Sequence, residues 1–104
     1  MSFRDYTTFT TPLPHPGEIL REDYLPALNL SAGALAKAMG LKDRSRIEQL
    51  VREQRAITSD TALRLARVFG TSPEFWMNLQ AQHDLSRDAI ANREALEEIA
   101  PLVA

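Results

Sequence analysis

A tight break between two short amphipathic helices, over Leu30 to Ile57 (LSAGALAKAMGLKDRSRIEQLVREQRAI), constrains this chain more than any other feature. Ser31 can cap a first helix through its side-chain oxygen. Leu35, Ala36 and Met39 then share one face, and Gly40 supplies the left-handed backbone that ends such a helix. A second helix begins near Asp43, and its apolar Ile47, Leu50 and Val51 recur at helical spacing. That spacing turns Arg44, Ser45, Arg46, Gln49, Arg52 and Glu53 outward. Small Ala36 and Gly40, four apart, let the second helix cross the first closely at a steep angle, which is the packing requirement of a helix-turn-helix.

The chain has 104 residues, enough for one domain with one core. It contains no cysteine, so neither a disulfide framework nor a thiol nucleophile is available. No apolar run approaches the roughly 18 residues of a membrane span, and MSFRDYTTFTT lacks the basic start and apolar middle of a signal peptide. A cytoplasmic location is the expectation. The net charge of −2 taken alone argues against a nucleic-acid partner, but its distribution reverses that inference. Lys37, Lys42, Arg44, Arg46, Arg52, Arg55, Arg64 and Arg67 face only Asp43, Glu48, Glu53 and Asp60, so the central third carries +4 and the remainder −6. A basic centre between acidic ends suits a phosphate backbone on one face and a basic protein on another.

Residues 1–14, with Phe3, Tyr6 and Phe9 among threonines and then Pro12 and Pro14, read as an extended arm that docks on its own domain or on a second subunit. The body, residues 15–85, opens with a helix at Pro16, helped by Glu18 in its first turn, with Ile19, Leu20, Tyr24 and Leu28 as its buried side. Pro26 should end or loosen it near Tyr24, with Asn29 making the turn. After the central pair, Thr58 or Ser59 caps a helix with the stripe Ala62, Leu65, Ala66, Phe69 and a stop at Gly70. Thr71, Ser72 and Pro73 start the next, whose apolar face holds Phe75, Trp76 and Leu79. Residues 86–104 read as a further helix from Ser86 to Ala100, stopped by Pro101, and an apolar tail buried on the body or on a partner, which makes this segment a possible dimerisation element. Without strand-like alternation, the expected fold is an all-α bundle of five to six helices containing a helix-turn-helix.

Arginines concentrated on the one helix that the motif pushes outward point to duplex DNA. Ser45, Arg46 and Gln49, near the start of that helix, can reach base edges, Arg suiting guanine and Gln adenine; Arg44 stands with them and can also meet a phosphate. Lys37, Lys42, Arg52 and Arg55 are placed to hold phosphates, and the helix start at Thr58 and Ser59 can offer backbone N–H groups to another. A single motif makes few contacts, and a dimer doubles them across half-sites about 34 Å apart. His15 and His83 lack the spacing of metal ligands, the four glycines form no phosphate loop, and no nucleophile motif is present, so neither a metal, a cofactor nor an enzyme activity is expected.

Ala36, Gly40, Ile47 and Leu50 resemble the helix-turn-helix of phage Cro and repressor type proteins, which implies a lambda-repressor-like fold. The sequence departs from that pattern in two places: the turn at LKDR is one residue longer, and Ala32 replaces the glutamine with which many relatives touch DNA. HPGEILREDYL (His15 to Leu25), RAIT (Arg55 to Thr58) and TALRLARVFGTSPEFWMNLQAQHDL (Thr61 to Leu85) together resemble HigA-type antitoxins. That resemblance implies a homodimer that represses its own promoter and neutralises, by direct binding, a HigB-type mRNA-cleaving toxin whose chemistry is absent from this chain. A stand-alone repressor of the same fold is the alternative, and an interaction module without DNA binding is a third. By charge, Glu18, Glu22 and Asp23 early or Glu94, Glu97 and Glu98 late would suit a basic toxin.

Overall fold

A computed structural model of the chain describes residues 5–103, which leaves Phe3 of the expected arm outside the described residues. Helix α1 (Pro16–Ile19) is capped by His15, whose Nδ1 accepts the Gly17 N–H at 2.9 Å, and it continues without interruption as a π-helical turn (Leu20–Tyr24). The widening has a local cause: Pro26 offers no N–H to the ladder, and its ring crowds the carbonyl four residues back. Leu25 N–H instead reaches the Leu20 carbonyl, one residue further back, at 3.0 Å. The extra residue in the turn shifts the helical phase. Leu25 therefore enters the core, whereas Leu28, expected inside, is 58% exposed in the following turn at Asn29, whose φ is 52°.

Helices α2 (Ala32–Ala38) and α3 (Ser45–Val51) form the motif. Ser31 Oγ accepts the Ala34 N–H at 3.0 Å. At the other end Gly40 takes a φ of 75°, so that Gly40 N–H meets the Lys37 carbonyl and Leu41 N–H the Ala36 carbonyl, which closes α2 with a Schellman turn. Helix α4 (Ser59–Phe69) starts under Thr58, whose Oγ1 accepts the Thr61 N–H, and stops at left-handed Gly70. One core joins Leu20, Leu25, Leu35, Ala36, Met39, Ile47, Leu50, Ile57, Ala62, Leu65 and Trp76. Trp76 is wholly buried because its indole N–H finds Thr71 Oγ1 at 2.8 Å, and Tyr24, Phe69 and Phe75 surround its ring.

Helix α5 (Pro73–Ala91) is longer than the sequence suggests: it runs straight through Ser86, where a new helix was expected, and only a short α6 (Arg93–Glu97) follows. Ser86 is a mid-helix residue, fully buried, whose hydroxyl donates to the His83 carbonyl at 2.9 Å and accepts the Leu13 N–H at 2.8 Å. The arm lies on this helix. After a 3-10 turn (Tyr6–Thr8) it is held by the Leu13 carbonyl, which accepts from His83 Nδ1 at 2.7 Å, and by Arg93, which donates to the Thr7 and Phe9 carbonyls. The arm thus docks on its own domain. The tail does not: Ile99 is 70% and Val103 82% exposed, so burial against the body, one of the two expected outcomes, is absent. The described residues span 50 × 24 × 23 Å, and none of their helices is long and apolar enough to cross a membrane.

Candidate nucleic-acid interface

The inner face of α3 is seated by a contact that the sequence does not advertise. Gly17 of α1 lies so close to the end of α3 that a Cβ built on it would stand 1.8 Å from the Leu50 carbonyl oxygen, so only glycine fits. Helix α3 is therefore seated by Gly17 of α1 as well as beside Ala36 of α2, which is 2% exposed in the core, while Gly40 serves as a cap. Asp43 Oδ1 accepts the Ser45 N–H at 2.7 Å at the start of α3, a bond that holds the Asp43 carboxyl below the usual carboxylate range. At the other end Glu53 adopts a φ of 61°, a conformation that disfavours side chains, and closes α3 through its N–H on the Leu50 carbonyl. Arg21, in the π-helical turn that continues α1, reaches across to the Val51 carbonyl and, at 3.4 Å, to the Glu53 carboxylate. Both ends of the helix are thereby pinned to α1 or to its own turn.

The outer face carries the predicted polar residues, arranged in pairs. Arg44 is 71% exposed and touches Glu48 at 2.8 Å, one turn along the same helix. Arg46 Nη1 donates to Asp60 Oδ2 at 2.6 Å; Asp60, in the first turn of α4, also accepts from Arg64 Nε at 3.0 Å. Arg64 Nη1 in turn donates to the Met39 carbonyl at 2.8 Å, next to the Gly40 turn. Hydrogen bonds from Arg46 and then Arg64 hold the Asp60 carboxyl below its ordinary range. Gln49 Oε1 accepts from Arg55 Nε at 3.0 Å. Neither Arg46 nor Gln49 is buried. Arg46 keeps four of its five N–H groups beyond the one given to Asp60, and two of those suffice for a bidentate base contact.

Lys37, Lys42 and Arg52 are exposed and form no ion pair among the described residues. Lys42, Asp43, Ser45, Arg46 and Arg55 line a shallow groove beside the motif turn, and Lys37 and Arg44 line a second one at that turn. Arg52 lies at the far end of α3. Thr58 and Ser59 are both exposed at the start of α4, where the Thr58 hydroxyl is engaged as the cap of Thr61. The structure thus gathers Arg44, Ser45, Arg46, Gln49, Lys42 and Arg55 around one turn and one helix. Asp60 and Arg64 belong to the same surface. Sequence reasoning missed both; charges four apart on one helix were the signal for their mutual pair, and their link to Arg46 leaves no such signal because it joins two helices. The two histidines, distant in sequence, stand with ring centroids 5.0 Å apart; His15 caps α1 and His83 holds the arm at Leu13.

A family model described as helix-turn-helix matches residues 20–76, which spans α2, α3, α4 and the start of α5. Virulence-associated protein I of Dichelobacter nodosus is 52% identical over 91 residues, covering 88% of this chain and 82% of that protein. The crystal structure of PA4674 from Pseudomonas aeruginosa in complex with its operator DNA superposes with a TM-score of 0.82 at 46% identity, covering 88% of this chain and 96% of that one. The antitoxin HigA of Pseudomonas aeruginosa with the higBA promoter superposes with a TM-score of 0.81 at 43% identity, covering 88% and 99%.

Proposed function

The chain belongs to the helix-turn-helix family and, within it, to the HigA antitoxins, and on that premise we propose that it is a dimeric, sequence-specific DNA-binding antitoxin. It represses its own promoter and neutralises a partner toxin of the mRNA-cleaving kind by direct binding. The family is one of DNA-binding antitoxins and regulators, and the chain carries none of the partner's chemistry.

One observation carries the DNA half of this reading. Helix α3 has Ile47 and Leu50 wholly buried, while the same helix presents Arg44, Ser45, Arg46 and Gln49 on its opposite side. A helix seated in this way can enter the major groove, where Arg46 meets guanine and Gln49 adenine. Lys37, Lys42, Arg52, Arg55 and the amides at Thr58 and Ser59 take phosphates and so set the register. Relatives bound to operator or promoter DNA support the assignment. In this scheme residues 15–85 read DNA, and residues 86–104 pair the subunits through Leu96, Ile99, Leu102 and Val103, all of them exposed. The acidic residues Glu94, Glu97 and Glu98 steer a basic toxin.

The test is a gel shift with the DNA upstream of the chain's own gene, coupled to co-expression with the adjacent open reading frame. A selective shift together with a co-purifying small basic protein is the expected result. A selective shift with no partner would make the chain a stand-alone repressor, and no shift at all would remove the DNA reading.

A further inference from the structure

We propose that Asp60 is a positioning residue that sets the selectivity of the DNA-reading surface by fixing the guanidinium of Arg46, with Arg64 anchoring Asp60 to the motif turn. This rests on the reading of α3 given above and names a residue of α4 as part of its specificity.

Free, an arginine side chain samples many rotamers and binds any phosphate it meets; oriented, its planar fork matches one base edge. Arg46 is oriented. Its Nη1 lies 2.6 Å from Asp60 Oδ2, so Asp60 holds one corner of a guanidinium whose side chain is 32% exposed and leaves four N–H groups for other partners. Asp60 is itself fixed from behind: Arg64, one helical turn further along α4, donates to it through Nε at 3.0 Å and ties Nη1 to the Met39 carbonyl at 2.8 Å. The chain of contacts therefore runs from the end of α2 through α4 to the outer side of α3. Asp60 suits the first turn of α4 and pairs with Arg64 four residues on. A carboxylate facing DNA lowers affinity for phosphate everywhere alike, and what its contact with Arg46 adds is a preference for one arrangement of that arginine over the rest. Loss of Asp60 should free Arg46 to take phosphates, raising binding to arbitrary sequence while eroding the preference for the operator.

The experiment titrates wild-type protein and Asp60→Asn, each verified as folded by circular dichroism, against the chain's own upstream DNA and a scrambled duplex of equal length. Asp60→Asn is expected to reduce the ratio of the two affinities by about tenfold, the scale of one weakened guanine contact, while its affinity for the scrambled duplex rises. In an Arg46→Ala background the same substitution should leave that ratio unchanged, and Asp60→Glu should restore part of the ratio in the Arg46 protein. If Asp60→Asn strengthens or weakens binding to both duplexes equally, Asp60 acts only through charge or stability and the inference is overturned while the DNA reading stands. If wild-type protein itself does not distinguish the duplexes, the reading of α3 fails and the inference with it. Should Asp60→Asn not fold, Arg64→Gln, which cuts the anchor and leaves the carboxylate, must show the same loss of ratio, and an unchanged ratio there overturns the proposal.

Discussion

Between Leu30 and Ile57 the large apolar side chains Leu35, Ile47 and Leu50 are wholly buried and the polar ones face out, whereas beyond α5 the order inverts and Leu96, Ile99, Leu102 and Val103 stand 40% to 102% exposed. The first region is complete in one copy of the chain: capped, pinned by Gly17 and Arg21, and ready to meet a polar ligand. The second is not. Beside its tail, Tyr6, Leu85, Ala89 and Leu96 line an apolar groove where the arm meets α5, and contiguous exposed apolar surface of this kind marks an association site. One end of the molecule therefore presents polar and charged side chains over a closed core, and the other leaves apolar side chains uncovered.

The largest expected effect breaks the first region at its seat. Gly17→Ala places a Cβ against the rigid Leu50 carbonyl and forces α1 from α3, which should destabilise the chain by about 3 kcal/mol or more, lowering its melting temperature by roughly 12 °C or more. Thermal unfolding followed by circular dichroism checks this, and an unshifted melt would show that the crossing tolerates a side chain. Next comes the outer face, where Arg46→Ala should weaken operator binding by about 1–3 kcal/mol and blur the preference at one base pair, while loss of its exposed pair with Asp60 lowers stability only slightly.

A third prediction uses acid to separate the regions. Burial, and then the neighbouring His83, lower the His15 pKa below its ordinary 6.5 in the folded chain, and its Nδ1 must stay unprotonated to accept from Gly17. In the window just below 6.5 the unfolded chain binds the proton and the folded chain does not, so stability falls as pH drops through that window and is unaffected above it. Urea titrations at either side of it should show the fall, and His15→Asn, which can still cap α1, should flatten it. Asp5, Asp43 and Asp60, all held below 3.8 in the folded state, add a second loss in stronger acid.

The smallest expected effect concerns the tail. Replacing Ile99, Leu102 and Val103 by serine should leave monomer stability within about 0.5 kcal/mol yet shift sedimentation toward the monomer, because these side chains are 70% to 102% exposed on their own chain. Unchanged sedimentation would place the subunit contact elsewhere.

How legible each region was follows from the range of its interactions. Ser31, Gly40, Thr58, Gly70, Ser72 and Pro73 announced their helix ends because caps bind amides only a few residues away. Ser86 was misleading because its partner, Leu13, lies 73 residues upstream. Gly17 looked like an ordinary glycine at a helix start, since the backbone it approaches belongs to α3. The phase shift at the π-helical turn carries Leu28 out of the core, and periodicity alone does not register such a shift. The residues proposed to read DNA were legible as types on one face, but the link from Arg46 to Asp60 and from Gln49 to Arg55 required separate segments to be placed together.

The most direct measurement is a heteronuclear NMR titration of the labelled protein with duplex DNA from its own upstream region. The account predicts that amide shifts concentrate at Lys37, at Lys42 to Arg55 and at Thr58 to Asp60, with α6 and the tail unmoved at constant oligomeric state. Shifts gathered on α5, α6 and the tail, with Arg44 to Gln49 silent, would contradict it.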